Sequence, residues 1–165
     1  MKVVAYSFSF VMLFLLSSCS LLLTDAERQV VGQWKQVTLV SKTYMEFGAD
    51  HSVANYIQVN IPMGGKALMV ARGTWSLENE DLRIQYKGVP EIATEGSAKT
   101  IEAAIELIAP ELNVEAMEDQ EISFRCTGQK NEKLQLDGAS WKPASSSEIK
   151  EMEEFRRAHS KKTEL

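Results

Sequence analysis

The chain has 165 residues, 44% of them hydrophobic and 25% charged, which fits one globular domain and excludes both a wholly disordered chain and a multi-domain machine. Its formal net charge of −5 argues against a nonspecific nucleic-acid surface, so no nucleic-acid partner is expected. Two cysteines and two histidines leave almost no material for a thiolate or imidazole metal site, and no metal or cofactor is expected.

Lys2 is the only charge before Asp25, and residues 3–23 are uncharged and rich in Leu, Val and Phe. A one-lysine start, an apolar run from Val3 to Leu16 and the small residues Ser17 and Ser18 have the layout of a secretory signal. The segment Leu16-Ser17-Ser18-Cys19 resembles the lipobox of bacterial lipoproteins. That resemblance implies a signal peptide over 1–18, cleavage before Cys19, and lipidation of Cys19 by a diacylglyceryl thioether and a further acyl chain of the palmitate type. Several acyl chains anchor a protein durably, since each buried methylene contributes about 0.8 kcal/mol. Ser20, where an aspartate would signal inner-membrane retention, implies the outer membrane, with the body facing the periplasm. Residues 19–29 are then a lipidated tether. Two alternatives stand beside this: the uncharged run is long enough to span a bilayer as an uncleaved anchor, and ordinary signal cleavage would leave no lipid. All three place the body outside the cytosol.

Past the tether the chain reads mostly as strands. Val31 to Ser41 is rich in Val, Thr, Leu and Trp, and Thr43 to Phe47 continues the β-rich character. Gly48 to Ser52 is turn material, after which Ile57, Val59 and Ile61 alternate with Gln58 and Asn60. Pro62-Met63-Gly64-Gly65 breaks that run before the long stretch Lys66 to Leu77, and Asn79-Glu80 separates it from Leu82 to Tyr86. Ile101, Ile105 and Ile108 recur at helical spacing within Lys99 to Ala109, stopped by Pro110, and Leu112, Val114 and Ala116 alternate again. Ile122 to Thr127 and Lys133 to Asp137 read as strands joined by a hairpin loop over Gly128 to Glu132. Eight or nine short strands with polar turns favour antiparallel neighbours, and closure into an up-and-down barrel both buries their apolar faces and removes free edges; a β-sandwich of similar size also meets these demands.

Gly32-x-Trp34, Gly73-Thr74-Trp75-Ser76-Leu77 and Leu82-Arg83-Ile84 resemble the lipocalin-like domains of secreted bacterial lipoproteins. The resemblance covers residues 30–143. It implies an all-β fold, an antiparallel up-and-down lipocalin-like barrel, here with the short inserted helix near 99–109. In that family an early tryptophan closes the barrel base, a role that falls on Trp34. Trp75 and Tyr86 join Trp34 as candidate cavity-lining or barrel-closing residues, although packing alone also accounts for large aromatics on strands. Trp141 reads as a closing contact at the rim of the last strand.

The remaining features are bland. Residues 100–124 hold seven acids and no base, which reads as a solvated flank, with a calcium site at Glu118, Asp119 and Glu121 or a basic protein partner as alternatives. Cys126 shares a strand face with Ile122 and Phe124 and reads as a buried thiol. No GxSxG elbow, HExxH helix or glycine-rich phosphate loop is present, and neither His51 nor His159 has a nucleophile beside it, so no catalytic residue and no enzymatic activity are expected. Residues 144–165 form a linker and helical tail: serines 145–147 suit a helix cap, and Ile149, Met152 and Phe155 share one helix face, free to dock on the barrel or on another protein. The expectation is a membrane-anchored lipocalin-like lipoprotein that binds a small hydrophobic or amphipathic molecule. The alternative is a non-catalytic envelope accessory protein acting through protein contacts.

Overall fold

A computed structural model describes residues 23–39, 41–61, 65–95 and 120–160. Cys19, the helix expected over Lys99–Ala109, the alternation at Leu112–Ala116 and the acidic residues up to Asp119 lie outside them.

The first element falls inside the segment read as tether. Helix α1, Asp25–Val30, is set by a capping box: the Thr24 hydroxyl accepts from the Glu27 amide at 3.2 Å, and the Glu27 carboxylate accepts from the Thr24 amide at 2.7 Å. Nine strands follow: β1 Gly32–Val37, β2 Ser41–Phe47, β3 Ser52–Ile61, β4 Gly65–Glu78, β5 Asp81–Tyr86, β6 Glu91–Glu95, β7 Glu121–Lys130, β8 Lys133–Leu136 and β9 Ala139–Pro143. Helix α2, Ser146–His159, ends the described chain.

Eight strands close an antiparallel barrel in the order β1-β2-β3-β4-β5-β7-β8-β9. The seam is short: β9 returns to β1 with Trp34 opposite Pro143 and Lys35 opposite Lys142. Strand β4 is the longest. One of its edges pairs with β3 from Thr74 to Gly65, and the other pairs first with β6 over Lys66–Val70 and then with β5 over Gly73–Glu78. Strand β6 therefore continues the sheet along the edge of β4 where β5 stops, with Ile92 turned to the interior and Ala93 to the outer face.

Three hairpins turn on two residues in the left-handed region: Asn79-Glu80, Asn131-Glu132 and Asp137-Gly138. Two positive φ values in succession match the right-handed twist of the flanking strands, and an Asx side chain tolerates the first of them. The loop expected over Gly128–Glu132 is tighter than its composition implies. Strand β7 runs on to Lys130, and Gly128, at φ +79°, marks a bulge between Cys126 and Gln129 where the β7–β8 register shifts.

Two apolar layers hold the molecule together. Inside the ring lie Val30, Trp34, Met45, Phe47, Val53, Val59, Met69, Trp75, Leu82, Ile84, Tyr86, Leu134, Leu136 and Trp141. Outside, Ile149 and Met152 of α2, with Phe155 at their margin, pack on Tyr44, Tyr56, Leu68, Val70 and Ala93. Ala67–Ala71 is consequently buried at every position, facing the barrel on one side and α2 with β6 on the other. Polar contacts frame the helix. Lys35 Nζ meets Glu148 at 2.7 Å, the Tyr56 hydroxyl donates to Glu153 at 3.0 Å, and Arg72 and Arg156 each bridge Glu153 and Glu91. Of the two docking partners that the sequence left open for the Ile149-Met152-Phe155 face, the barrel wall is the one that occupies it. Trp141, read as a closing contact for the last strand, is buried in the interior cluster and is no more exposed than Trp34.

Candidate functional site

The barrel interior is arranged in rows that the strand register defines. Nearest α1, Gly32, Phe47, Val53, Gly73 and Tyr86 lie side by side on successive strands. The next row is Trp34, Met45, Asn55 and Ala71, and the one beyond it Gln36, Thr43, Ile57, Met69 and Ile92. Val59 and Ala67 follow.

Aromatic bulk is concentrated toward α1. The Trp34 indole donates to the Val30 carbonyl at 2.7 Å, tying the first strand to the last turn of that helix. Trp75 donates to the Gly48 carbonyl at 3.0 Å, meets Phe47 edge to face at 5.7 Å and packs beside His51 at 4.9 Å. His51 in turn reaches Glu27 of α1 at 3.0 Å, and the His51 hydrogen bond is the main reason the Glu27 carboxyl lies below its ordinary pKa. On the far side of α1, Gln129 donates its amide to the Gln29 side chain and its side chain to the Gln29 carbonyl. Helix α1 is therefore fastened across this end of the barrel, with Val30 fully buried beneath it. Toward the other end Gln36, Thr43 and Ile57 are only partly buried, beside the buried Met69, Val59 and Ala67 and, on β9, Trp141 one step beyond the Lys35–Lys142 pair.

Between these regions sits one polar pair. Asn55 on β3 donates from Nδ2 to the Tyr86 hydroxyl on β5 at 3.0 Å. The bond crosses the whole of β4, which is open to it because the intervening inward positions are Ala71 and Gly73. Asn55 is 3% exposed, and its Oδ1 has no hydrogen-bond partner. Burial pushes the Tyr86 phenol up to about 12, so its hydroxyl stays protonated over the ordinary pH range. None of the described inward-facing positions carries a charge.

Of the candidates read from sequence, Trp34, Trp75 and Tyr86 all point inward. Trp34 and Trp75 are tied to the α1 end through Val30 and Gly48, and the Tyr86 hydroxyl reaches from the row nearest α1 to Asn55 in the next. Asn55 was missed. It continues the inward series Val53, Ile57, Val59 at a period of two, a signal present in the sequence but masked by its polar side chain. The Cys126 thiol is buried, and burial raises its pKa, which makes it a poor nucleophile. Among the described residues no three His, Cys, Asp or Glu side chains gather as metal ligands, and no helix is long and apolar enough to cross a membrane.

This arrangement defines a class: a closed eight-stranded antiparallel barrel with flanking helices, consistent with a lipocalin-like fold. No protein-family model and no curated protein matches the chain. Among solved structures it is similar to an uncharacterized protein from Bacteroides eggerthii DSM 20697, at 18% identity and a TM-score of 0.38, over 69% of this chain and 98% of that one.

Proposed function

We propose that this is a lipid-anchored barrel that binds a small hydrophobic or amphipathic molecule in its interior. In this reading residues 1–18 are a signal peptide, Cys19 carries the lipid, and the barrel faces the periplasm from the outer membrane. The observation that supports binding is the gradient inside the ring. Trp34, Trp75, Phe47 and α1 fill one end, while at the other Gln36, Thr43 and Ile57 are only partly buried, and none of the described inward-facing residues carries a charge. An apolar pocket with a few oriented polar groups is the ordinary form of a small-molecule site.

Thr43 tests this. It faces inward between Gln36 and Ile57 and is only partly buried, so Thr43→Phe fills the less crowded end without overpacking the aromatic end. The wild-type chain should co-purify with an extractable apolar molecule near one per protein by mass spectrometry, and the variant should fold and lose it. Equal retention by both would reject the interior as the site.

A further inference from the structure

The Asn55–Tyr86 pair carries hydrogen-bonding capacity that the protein does not use. Asn55 Oδ1 is an acceptor with no partner inside a barrel wall, and the Tyr86 hydroxyl, while accepting from Asn55 Nδ2, still holds a proton to donate. An acceptor buried without a partner is destabilising, and a leucine of similar size would remove that penalty. Resting on the interior-binding reading above, we infer that the pair recognises the polar end of the bound molecule, and that this end is an uncharged hydroxyl.

The chemistry follows from what each atom offers. Asn55 Oδ1 requires a donor, and Tyr86 requires an acceptor; a hydroxyl oxygen supplies both from one atom. A carboxylate can accept from Tyr86 but brings a second negative partial charge against Oδ1. An ammonium can donate to Oδ1 but has nothing to accept with. Either ion also loses its hydration in an interior where no described inward-facing residue carries a compensating charge. The neighbours agree with an apolar body behind the hydroxyl. Met45 and Ala71 flank Asn55 in register, and Ile57 and Met69 lie in the next row toward the less crowded end.

The test uses the interior tryptophan toward which the apolar chain extends, Trp141, one step along β9 beyond the Lys35–Lys142 pair. Bromine quenches indole fluorescence on contact, so 10-bromodecan-1-ol, 10-bromodecanoate, 10-bromodecylammonium and 1-bromodecane form a series differing only at the polar end. Each is titrated into the full-length chain in phospholipid nanodiscs. The bromoalcohol is expected to half-quench at a concentration at least tenfold below those of the acid and the amine. The double variant Asn55→Leu/Tyr86→Phe, which leaves neither partner orphaned, should bring the alcohol to the level of 1-bromodecane, with near-ultraviolet circular dichroism confirming its fold. If all four probes quench the wild type alike, the hydroxyl assignment is wrong, Asn55 is satisfied by water, and interior binding survives. If none quenches, interior binding falls and the assignment with it. Should the double variant not fold, the ranking of the four probes on the wild type still decides the matter.

Discussion

Gly73 lies where the second edge of β4 passes from β6 to β5, and the backbones approach there too closely for any side chain. A Cβ at this position would stand 2.0 Å from the Gln85 carbonyl oxygen and 2.8 Å from the Tyr86 Cα. Those are backbone atoms of a paired strand, and they cannot yield without loss of the Gly73–Tyr86 register. Gly73→Ala is therefore expected to cost about 3 kcal/mol or more and to displace the Tyr86 hydroxyl from Asn55. A urea midpoint within error of wild type would overturn the close approach. The tryptophans give a second prediction at this scale. Trp34 and Trp141 are both 5% exposed, so alanine at either position should cost about 3–5 kcal/mol through lost contact and a residual cavity. The same unfolding series checks it, and a mild effect at Trp141 would return that residue to the rim.

The elements most legible in the sequence are those whose two faces differ. Strand β5 alternates cleanly, and Leu82, Ile84 and Tyr86 point inward as the period of two predicts. Strand β4 is harder to read, because α2 covers its outer face and turns alternation into a continuous apolar run. Strand β6 left no signal: its five residues carry one large apolar side chain between glutamates, and its pairing depends on the free edge that β5 leaves on β4. Helix α1 is too short for a periodic pattern, and only its capping box announces it. Trp34, Trp75 and Tyr86 could be found as aromatics on strands, whereas Asn55 could be found only by trusting strand parity over side-chain polarity. Helix α2 carries a prediction of its own. Burial alone would raise the Glu153 carboxyl, but Arg156, Tyr56 and Arg72 outweigh it and hold it below the ordinary value of 4.5; Lys35 and the Ser145 amide do the same for Glu148. A carboxyl whose folded pKa is depressed adds stability that is present above its unfolded pKa and is lost as pH falls through the folded one. Docking of α2 should therefore weaken as pH drops below about 4.5, in step with protonation of these two groups, while the barrel ladder persists. Amide hydrogen exchange resolved by segment between pH 6 and pH 3.5, corrected for intrinsic rates, would show α2 losing protection before β2 and β3. Simultaneous loss would mean that the helix and barrel unfold as one unit.

At the scale of the whole molecule, the path of the chain orients the barrel. Helix α1, the β2–β3 turn at Asp50-His51 and the β7–β8 hairpin at Asn131-Glu132 lie together, joined by the Glu27–His51 and Gln29–Gln129 contacts. The paired strand ends Val37–Lys42 and Ile61–Gly65 fall at the opposite end, where Leu39 is fully exposed. Under the proposed lipidation of Cys19, five Cα steps separate the anchor from the Thr24 cap, a span of at most about 18 Å even when fully extended. So short a leash cannot carry α1 far from the bilayer surface, and the helix is fastened to the barrel on two sides. The aromatic, α1-covered end should then face the membrane and the less crowded end should face away, so that a ligand enters from the aqueous side. Single cysteines at Asn131 and Leu39, each labelled with a donor fluorophore in the lipidated protein on vesicles with an acceptor lipid, measure this directly. Energy transfer should be stronger from position 131 than from position 39, and Cys19→Ala in a chain lacking residues 1–18 should abolish both signals by leaving the body without its anchor. Stronger transfer from position 39 would mean that the barrel lies with its less crowded end against the bilayer, and would redirect ligand entry to the lipid phase.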